Sequence, residues 1–238
     1  MTGKQLKDSI LQWAIQGKLV PQDPNDEPAS VLLEKIREEK ARLVKEKKIK
    51  KPKTESIIFR GEDNSYYEKF SDGKVVCIDE EIPFEIPENW MWCRLGDIVN
   101  NRDAERIPLS VSVRSTQKNK IYDYYGPGGA FDKVDGYIFD KRLLLIGEDG
   151  ANLITISNPN AFFADGKYWV NNHVHVLDNY IVDSILLEYI KLRINGMSLA
   201  DYITGTAQPK MNQDKMNSIP IPQPPLAEQP RIVAPVVE

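Results

Sequence analysis

Apolar residues recur at helical spacing from the start of the chain. Leu6, Ile10, Trp13 and Ala14 fall at i, i+4, i+7 and i+8, which predicts an amphipathic helix over 4–16. Gly17 is its stop, and the turn-rich PQDPNDEP of 21–28 follows. Ser30, a favourable N-cap, opens a second helix that Pro52 limits downstream. Its apolar stripe is Leu33, Ile36, Leu43 and Val44, with Glu34, Lys35, Glu38, Glu39, Lys40 and Arg42 expected in water. The basic run 45–53 reads as a solvated helix end that complements the macrodipole, ahead of a phosphate-contacting arm. Isolated helices below roughly 12–15 residues are marginal in water, so Leu6, Ile10 and Trp13 need a covering surface. That surface is expected to be the second helix or a second copy of the chain.

Beyond a polar connector at 54–72, the pattern shifts to short β-prone segments separated by turns. VVCI (75–78) is one. Pro83 and Pro87 hold an extended strap before Trp90 and Trp92, whose alternation places both on one side of a strand and in the core. Further strands are predicted at 137–147, 153–157 and 168–177. Helical spacing returns in 183–195, with Asp183 as cap and Gly196 as the end. A second proline strap, 217–229, leads into a helical start at 226–228. Pro230 suits a first turn. Pro235 in a helix interior costs about 3 kcal/mol, so no continuous helix is expected beyond Ala234. The expected class is α+β (irregular α/β), with helical material at both ends of a globular body.

Composition narrows the class without naming a function. At 238 residues, 41% hydrophobic and 28% charged, the chain suits one or two globular domains and excludes a collagenous, coiled-coil-only or wholly disordered one. No apolar run approaches the roughly 20 residues of a membrane span, and the first residues lack the pattern of a signal peptide. Cys77 and Cys93 are the only cysteines, so reduced thiols and a cytoplasmic location are expected. The net charge of −4 divides into +5 over residues 1–53 and −9 over the rest. An acidic body confines any DNA-binding face to a local basic patch.

Searches for catalytic chemistry fail one after another. There is no P-loop, and the glycines of GPGGAF (126–131) read as a turn rather than a dinucleotide fingerprint. Residues 158–162 (NPNAF) resemble the Asn-Pro-Pro-Phe/Tyr loop of adenine methyltransferases but lack its second proline, so an Asx-Pro turn is expected. No Pro-Asp dipeptide opens a nuclease metal motif. His173 and His175, the only histidines, share a strand face; satisfied strand histidines are favoured over a metal pair. No G-x-S-x-G elbow is present. A binding surface is what is left. Residues 102–142 carry eight Lys/Arg against six acids, with Tyr122, Tyr124, Tyr125 and Phe131 interleaved around the glycine turn. Basic groups would position the protein on phosphates while loop side chains read bases. The candidate DNA contacts are Arg106, Arg114, Lys118, Lys120, Tyr124, Tyr125 and Lys133, joined from the polar loop 204–215 by Gln208 and Lys210.

These segments, in order, resemble one family. LKDSILQWAIQGKLVPQDPNDEPASVLLEKIREEKARL (6–43) is similar to the conserved region of specificity subunits of type I restriction-modification systems. IPFEIPENWMWCRLGDI (82–98) is similar to the strap that leads into their target recognition domains. YYGPGGAFDKVDGYIFDKRLLLIGEDG (124–150), NNHVHVL (171–177) and TGTAQPKMNQDKMNSIPIPQPPLAEQPRIV (204–233) resemble further signposts. The resemblance implies a non-catalytic DNA-recognition subunit that directs partner methyltransferase and restriction subunits to a double-stranded DNA target. S-adenosylmethionine, ATP and magnesium are then expected only in the partners, with no cofactor or metal in this chain. It further implies a helical conserved segment over 1–53, a connector and strap over 54–88, a target recognition domain over 89–222 and the start of a second conserved helix over 223–238. With a single recognition domain, the chain resembles a half-length or truncated subunit. Leu6, Ile10, Trp13, Leu33 and Ile36 are the expected partner interface, and a homodimer would read an inverted repeat. The alternative is a protein-interaction remnant that binds methyltransferase subunits without productive DNA recognition.

Overall fold

Gly17 ends the first helix because its φ of 69° lies where side chains are strained, and because a Cβ there would stand 2.5 Å from Pro87 Cγ. This computed structural model describes residues 3–52, 54–150, 153, 159–181, 184–205 and 208–237. They form two compact units: Met1–Val99 with Asn179–Gly196 and Asn217–Glu238, and Asn100–Asp178 with Met197–Met216. Both mix helices with small sheets, an α+β fold.

In the first unit, α1 (Gly3–Ile15) packs mainly on α5 (Leu186–Asn195) and α7 (Gln229–Val237) rather than on the second helix, one of the two covers expected for it. Ala14 and Ile15 are its buried residues, while Leu6 and Trp13 stay 50% and 53% exposed. Helix α2 (Ala29–Lys45) starts one residue before Ser30. Pro28 is its N-cap, and the Ala29 N–H donates to Asn89 O at 2.8 Å, so a tertiary bond replaces the expected serine cap. The helix ends well short of Pro52, at a turn in which Lys47 adopts a φ of 58°. Leu33 and Ile36 are buried as expected, but Lys40 is not in water. Its ammonium lies 3.3 Å from Glu55 and 3.6 Å from Asp97, beside the Tyr180 ring.

The stretch read as a polar connector folds into β1 (Ser56–Arg60) and β2 (Tyr66–Phe70), which with β3 (Val75–Cys77) make an antiparallel sheet in that order. Ile58, Tyr66 and Ile78 from this region enclose Trp92. Trp90 and Trp92 are both buried, yet they enter different surroundings. Trp92 leans on Phe84, whereas Trp90 meets Tyr189 edge-on and donates to Glu228 at 2.8 Å. Strand β4 (Met91–Arg94) runs antiparallel to β13 (Pro220–Gln223) and continues into the short α3 (Leu95–Ile98). Two prolines fit β13 because they alternate. Ile219 and the residues of its parity face the partner, with Ile219 O accepting from Leu95 N. The outward carbonyls of Pro220 and Pro222 accept instead from Arg193 and Tyr189. Helix α7 runs through Pro235 to Val237, contrary to the expected stop. The ring lies on an exposed side of the helix.

The second unit contains two four-stranded sheets. One has the order β10-β9-β12-β5, from β5 (Val99–Asn101), β9 (Leu143–Gly147), β10 (Ala161–Ala164) and β12 (Val174–Asn179). The other has the order β7-β6-β11-β8, from β6 (Tyr122–Gly126), β7 (Gly129–Val134), β8 (Phe139–Asp140) and β11 (Lys167–Val170), with β11 parallel to β6. Phe139, Leu143, Leu145, Tyr168, Val170, Val174 and Val176 fill the core between turns. Each of two predicted strands is really two, one in each sheet: 137–147 breaks at Lys141-Arg142 and 168–177 at Asn171–His173. Apart from Leu153, the strand predicted at 153–157 lies outside the described residues, as do Asn158 and Asp183. Helices α4 (Val111–Thr116) and α6 (Gln213–Asn217) are short. Among the described residues, no helix is long and apolar enough to cross a membrane.

Candidate nucleic-acid interface

The glycine turn joins β6 to β7 as a hairpin whose tip is Pro127-Gly128, and Gly129 closes it at a φ of 113°. Strand alternation turns Tyr124 inward, where it is 1% exposed and its hydroxyl accepts from Leu109 N at 3.1 Å. Phe131 on the opposite strand stays 57% exposed at the ring edge of Tyr124. Arg114, from α4, places its guanidinium over both rings, at 4.8 Å from Tyr124 and 5.5 Å from Phe131. The same group donates to Asp132 at 2.8 Å and to Leu109 O at 2.5 Å, so Arg114 builds the loop. Tyr125 is half-buried against Phe162 and Tyr168, and burial raises its phenol.

Most of the predicted cations are already paired. Lys120 reaches Asp132 at 2.7 Å and Lys133 reaches Asp123 across the hairpin at 2.6 Å. Lys120 and Arg114, with the Lys133 N–H, hold the Asp132 carboxyl far below the usual carboxylate range. Arg106 is largely buried, 2.9 Å from Glu148. Lys210 is half-exposed, and its ammonium lies 3.1 Å from the other oxygen of Glu148. Lys118 is exposed and has no ion pair among the described residues. Its backbone neighbours are pinned, however: Asn119 N donates to Asp135 and Asp135 N to Gln117. Gln208 is exposed on the 204–210 loop, which Thr204 and Lys210 close by mutual backbone bonds. Lys118, Lys120, Lys133 and the hairpin thus belong to one region, and Arg106 and Lys210 meet at a second point, Glu148. In the first unit, Leu6 and Trp13 are exposed on α1 and Ile10 is half-buried, while Leu33 and Ile36 lie in the core.

The histidines do not share a face. His173 sits in the turn before β12, its Nδ1 2.5 Å from Asp149. His175 is buried between Asp103, 2.6 Å from Nδ1, and Met211 O, 2.8 Å from Nε2. Burial would raise Asp103, but His175, Arg106 and the Val176 N–H outweigh it and keep the carboxyl low. Glu148 is likewise held low, its burial outweighed by Arg106 and Lys210. Asp103, Asp132 and Glu148 were not among the sequence candidates. Their only local signal is that acids punctuate the basic stretch, and that Glu148 follows an uninterrupted apolar strand.

Residues 87–235 match the family described as type I restriction modification DNA specificity domain. The chain belongs to that family. It is 31% identical to the type I restriction enzyme EcoEI specificity subunit of Escherichia coli over 251 aligned residues, covering 96% of this chain and 39% of the relative. It is 55% identical to the EcoAI specificity subunit of Escherichia coli over 95 residues, covering 40% of this chain and 13% of the relative. The chain therefore spans well under half the length of these specificity subunits. A crystal structure of a type I restriction-modification S subunit from M. genitalium aligns with a TM-score of 0.47 and 13% identity, over 64% of this chain and 40% of that one. The specificity-domain match spans β4, both sheets of the second unit and most of α7.

Proposed function

We propose that this chain is a DNA-recognition subunit of a type I restriction-modification system, reading one half of a duplex target and lending no catalytic group of its own. Membership of the specificity-domain family over 87–235 carries the reading. The methyltransferase and restriction subunits are its proposed partners, and S-adenosylmethionine, ATP and magnesium belong to them. The proposed DNA face is the hairpin region with Lys118, Lys120 and Lys133, shaped from beneath by Arg114, Tyr124 and Tyr125, and the 204–210 loop with Gln208 and Lys210. Arg106 acts there by holding the loops. Selection from random duplexes by the chain together with its methyltransferase partner tests this. Enrichment of a short gapped motif supports recognition; salt-sensitive binding without sequence preference supports the remnant reading, which the internal neutralisation of the basic residues favours.

Lys118 and Lys120 separate by their partners. A phosphate contact contributes about 0.9 to the slope of log K against log salt. Lys118→Ala is expected to lower that slope by about this amount, and Lys120→Ala by less, since Lys120 must first leave Asp132. Anisotropy titrations over a salt series check it, and a Lys118→Ala chain that tracks the parent would move DNA to another face.

The stripe of exposed Leu6 and Trp13 with half-buried Ile10 is proposed to pair with a second copy, placing two recognition domains about a two-fold axis. Light scattering over a concentration series should show a dimer that Trp13→Glu abolishes. A parent chain monomeric throughout would leave the stripe to a methyltransferase subunit.

A further inference from the structure

Two segments distant in sequence, the 3-10 turn at Asp103–Glu105 with Arg106 and the stretch at Lys210–Met211, are tied to one carboxylate. Glu148 accepts Arg106 Nη1 on one oxygen at 2.9 Å and approaches Lys210 Nζ with the other at 3.1 Å. Its backbone extends the tie, since Glu148 N donates to His173 O at 2.9 Å and Met211 N donates to Glu148 O at 2.7 Å. Arg106 also donates to Val174 O at 2.6 Å and lies 3.5 Å from Asp103. Asp103 accepts the Val176 N–H at 2.8 Å and meets His175, which reaches Met211 O. The bonds close a ring: Asp103, His175, Met211, Glu148, Arg106 and back to Asp103. Every carboxylate in it is at most 10% exposed at the side chain, and Lys210 alone projects, at 50%.

Such a ring does two things at once. Buried, charge-assisted hydrogen bonds hold loops in one geometry, as sequence readout requires of the groups that approach base edges. Glu148 also opposes phosphate. A carboxylate 3.1 Å from Lys210 occupies the ammonium that a DNA phosphate would take, and repels the phosphate itself.

We infer that Glu148 is a positioning residue for DNA recognition: it fixes Asp103–Arg106 relative to Lys210 and Met211 and lowers non-specific affinity by competing with phosphate for Lys210. This rests on the DNA-recognition reading given above. It gives Glu148 a sign that a merely structural acid lacks. Losing a structural support weakens all binding; losing Glu148 strengthens binding to the wrong sequence while weakening discrimination.

Glu148→Gln, of equal size, removes the charge and leaves one acceptor for two cations. In the full chain, affinity for a scrambled duplex should rise about three- to tenfold, and the ratio of selected to scrambled affinity should fall at least about tenfold. Lys210→Met is the complementary variant. It should weaken both duplexes alike, cut the salt slope by about 0.9 and preserve the ratio, because the Met211 and Arg106 ties remain. Amide exchange in the free chain gives a readout independent of DNA: Glu148→Gln should speed exchange at Met211 and Thr204 with the core of β9 unchanged. A variant that loses affinity for both duplexes in proportion, or leaves both the ratio and the Met211 exchange as in the parent, overturns the inference. A parent chain that binds no duplex, with or without its methyltransferase partner, overturns the functional reading instead. Exchange at Met211 would then still decide whether Glu148 holds the loops.

Discussion

Arg94→Ala is expected to lower the unfolding free energy of the first unit by about 3–5 kcal/mol, the usual cost of stripping one partner from a buried ion pair. The guanidinium is planar against the Glu68 carboxylate, with Nε at 3.1 Å and Nη2 at 2.6 Å. Its remaining nitrogen donates to Glu81 and to Ser218 O, both at 2.8 Å. One side chain thus joins β2, β4 and the approach to β13. Alanine would leave Glu68, buried in the intact sheet, with the Ser56 hydroxyl as its side-chain partner among the described residues. The deficit should depend on pH in a defined direction. Burial raises Glu68, but the bonds from Arg94 and Ser56 prevail and bring it below its ordinary 4.5. The stability that this lowering confers is present above the unfolded-state value near 4.5 and is lost as pH falls through the folded one. The gap between parent and Arg94→Ala should therefore narrow below about pH 4.5. Urea titrations at pH 7 and pH 4 measure both points, and a gap that widens in acid would contradict the assignment. Exchanging both partners for apolar residues, Glu68→Leu with Arg94→Met, should cost much less than the two single losses added together.

Trp92→Ala should cost a similar amount, about 3–5 kcal/mol, by a different mechanism. The indole is 2% exposed and fills the space between Ile58, Tyr66 and Ile78, with the Phe84 ring 5.2 Å away. The three-stranded sheet β1–β3 has one covered side, since Ile57, Phe59 and Val75 stay exposed, so removing the indole leaves a cavity where that sheet meets β4. Trp92→Phe keeps a ring against Phe84 and should lose less. Near-UV dichroism and a urea midpoint distinguish the cases. A midpoint unchanged in Trp92→Ala would mean that the sheet is held by its edges and by Arg94 rather than by this cluster.

Much was legible in the chain because it is encoded within a few residues. The first helix and its end at Gly17, β3, the helix ending at Gly196 and the turn at 126–129 follow from local period and turn chemistry. The mixed α+β class and the specificity-domain family were readable for the same reason: ordered local signposts do not depend on packing. The candidate face was readable only as composition. Basic and aromatic residues cluster in 102–142, but sequence does not say which cations are free.

Tertiary structure decided whatever depends on a distant partner. Residues 54–72 looked polar because only one side of β1 and β2 is covered, and Trp92, which covers it, lies some twenty residues beyond. The inward side of α1 was chosen by α5 and α7, which arrive at the far end of the chain and prefer Ala14 and Ile15 to Leu6 and Trp13. Lys40 left water because Glu55, Asp97 and Tyr180 converge on it. Asp132 for Arg114, Glu148 for Arg106 and Lys210, and Asp103 for His175 are likewise set by segments that meet across tens of residues. Hydrophobic period and turn preference act through neighbouring residues, so they can be read along the chain. Charge pairing acts through space, and it was settled only when β6 met β7 and β9 met β12.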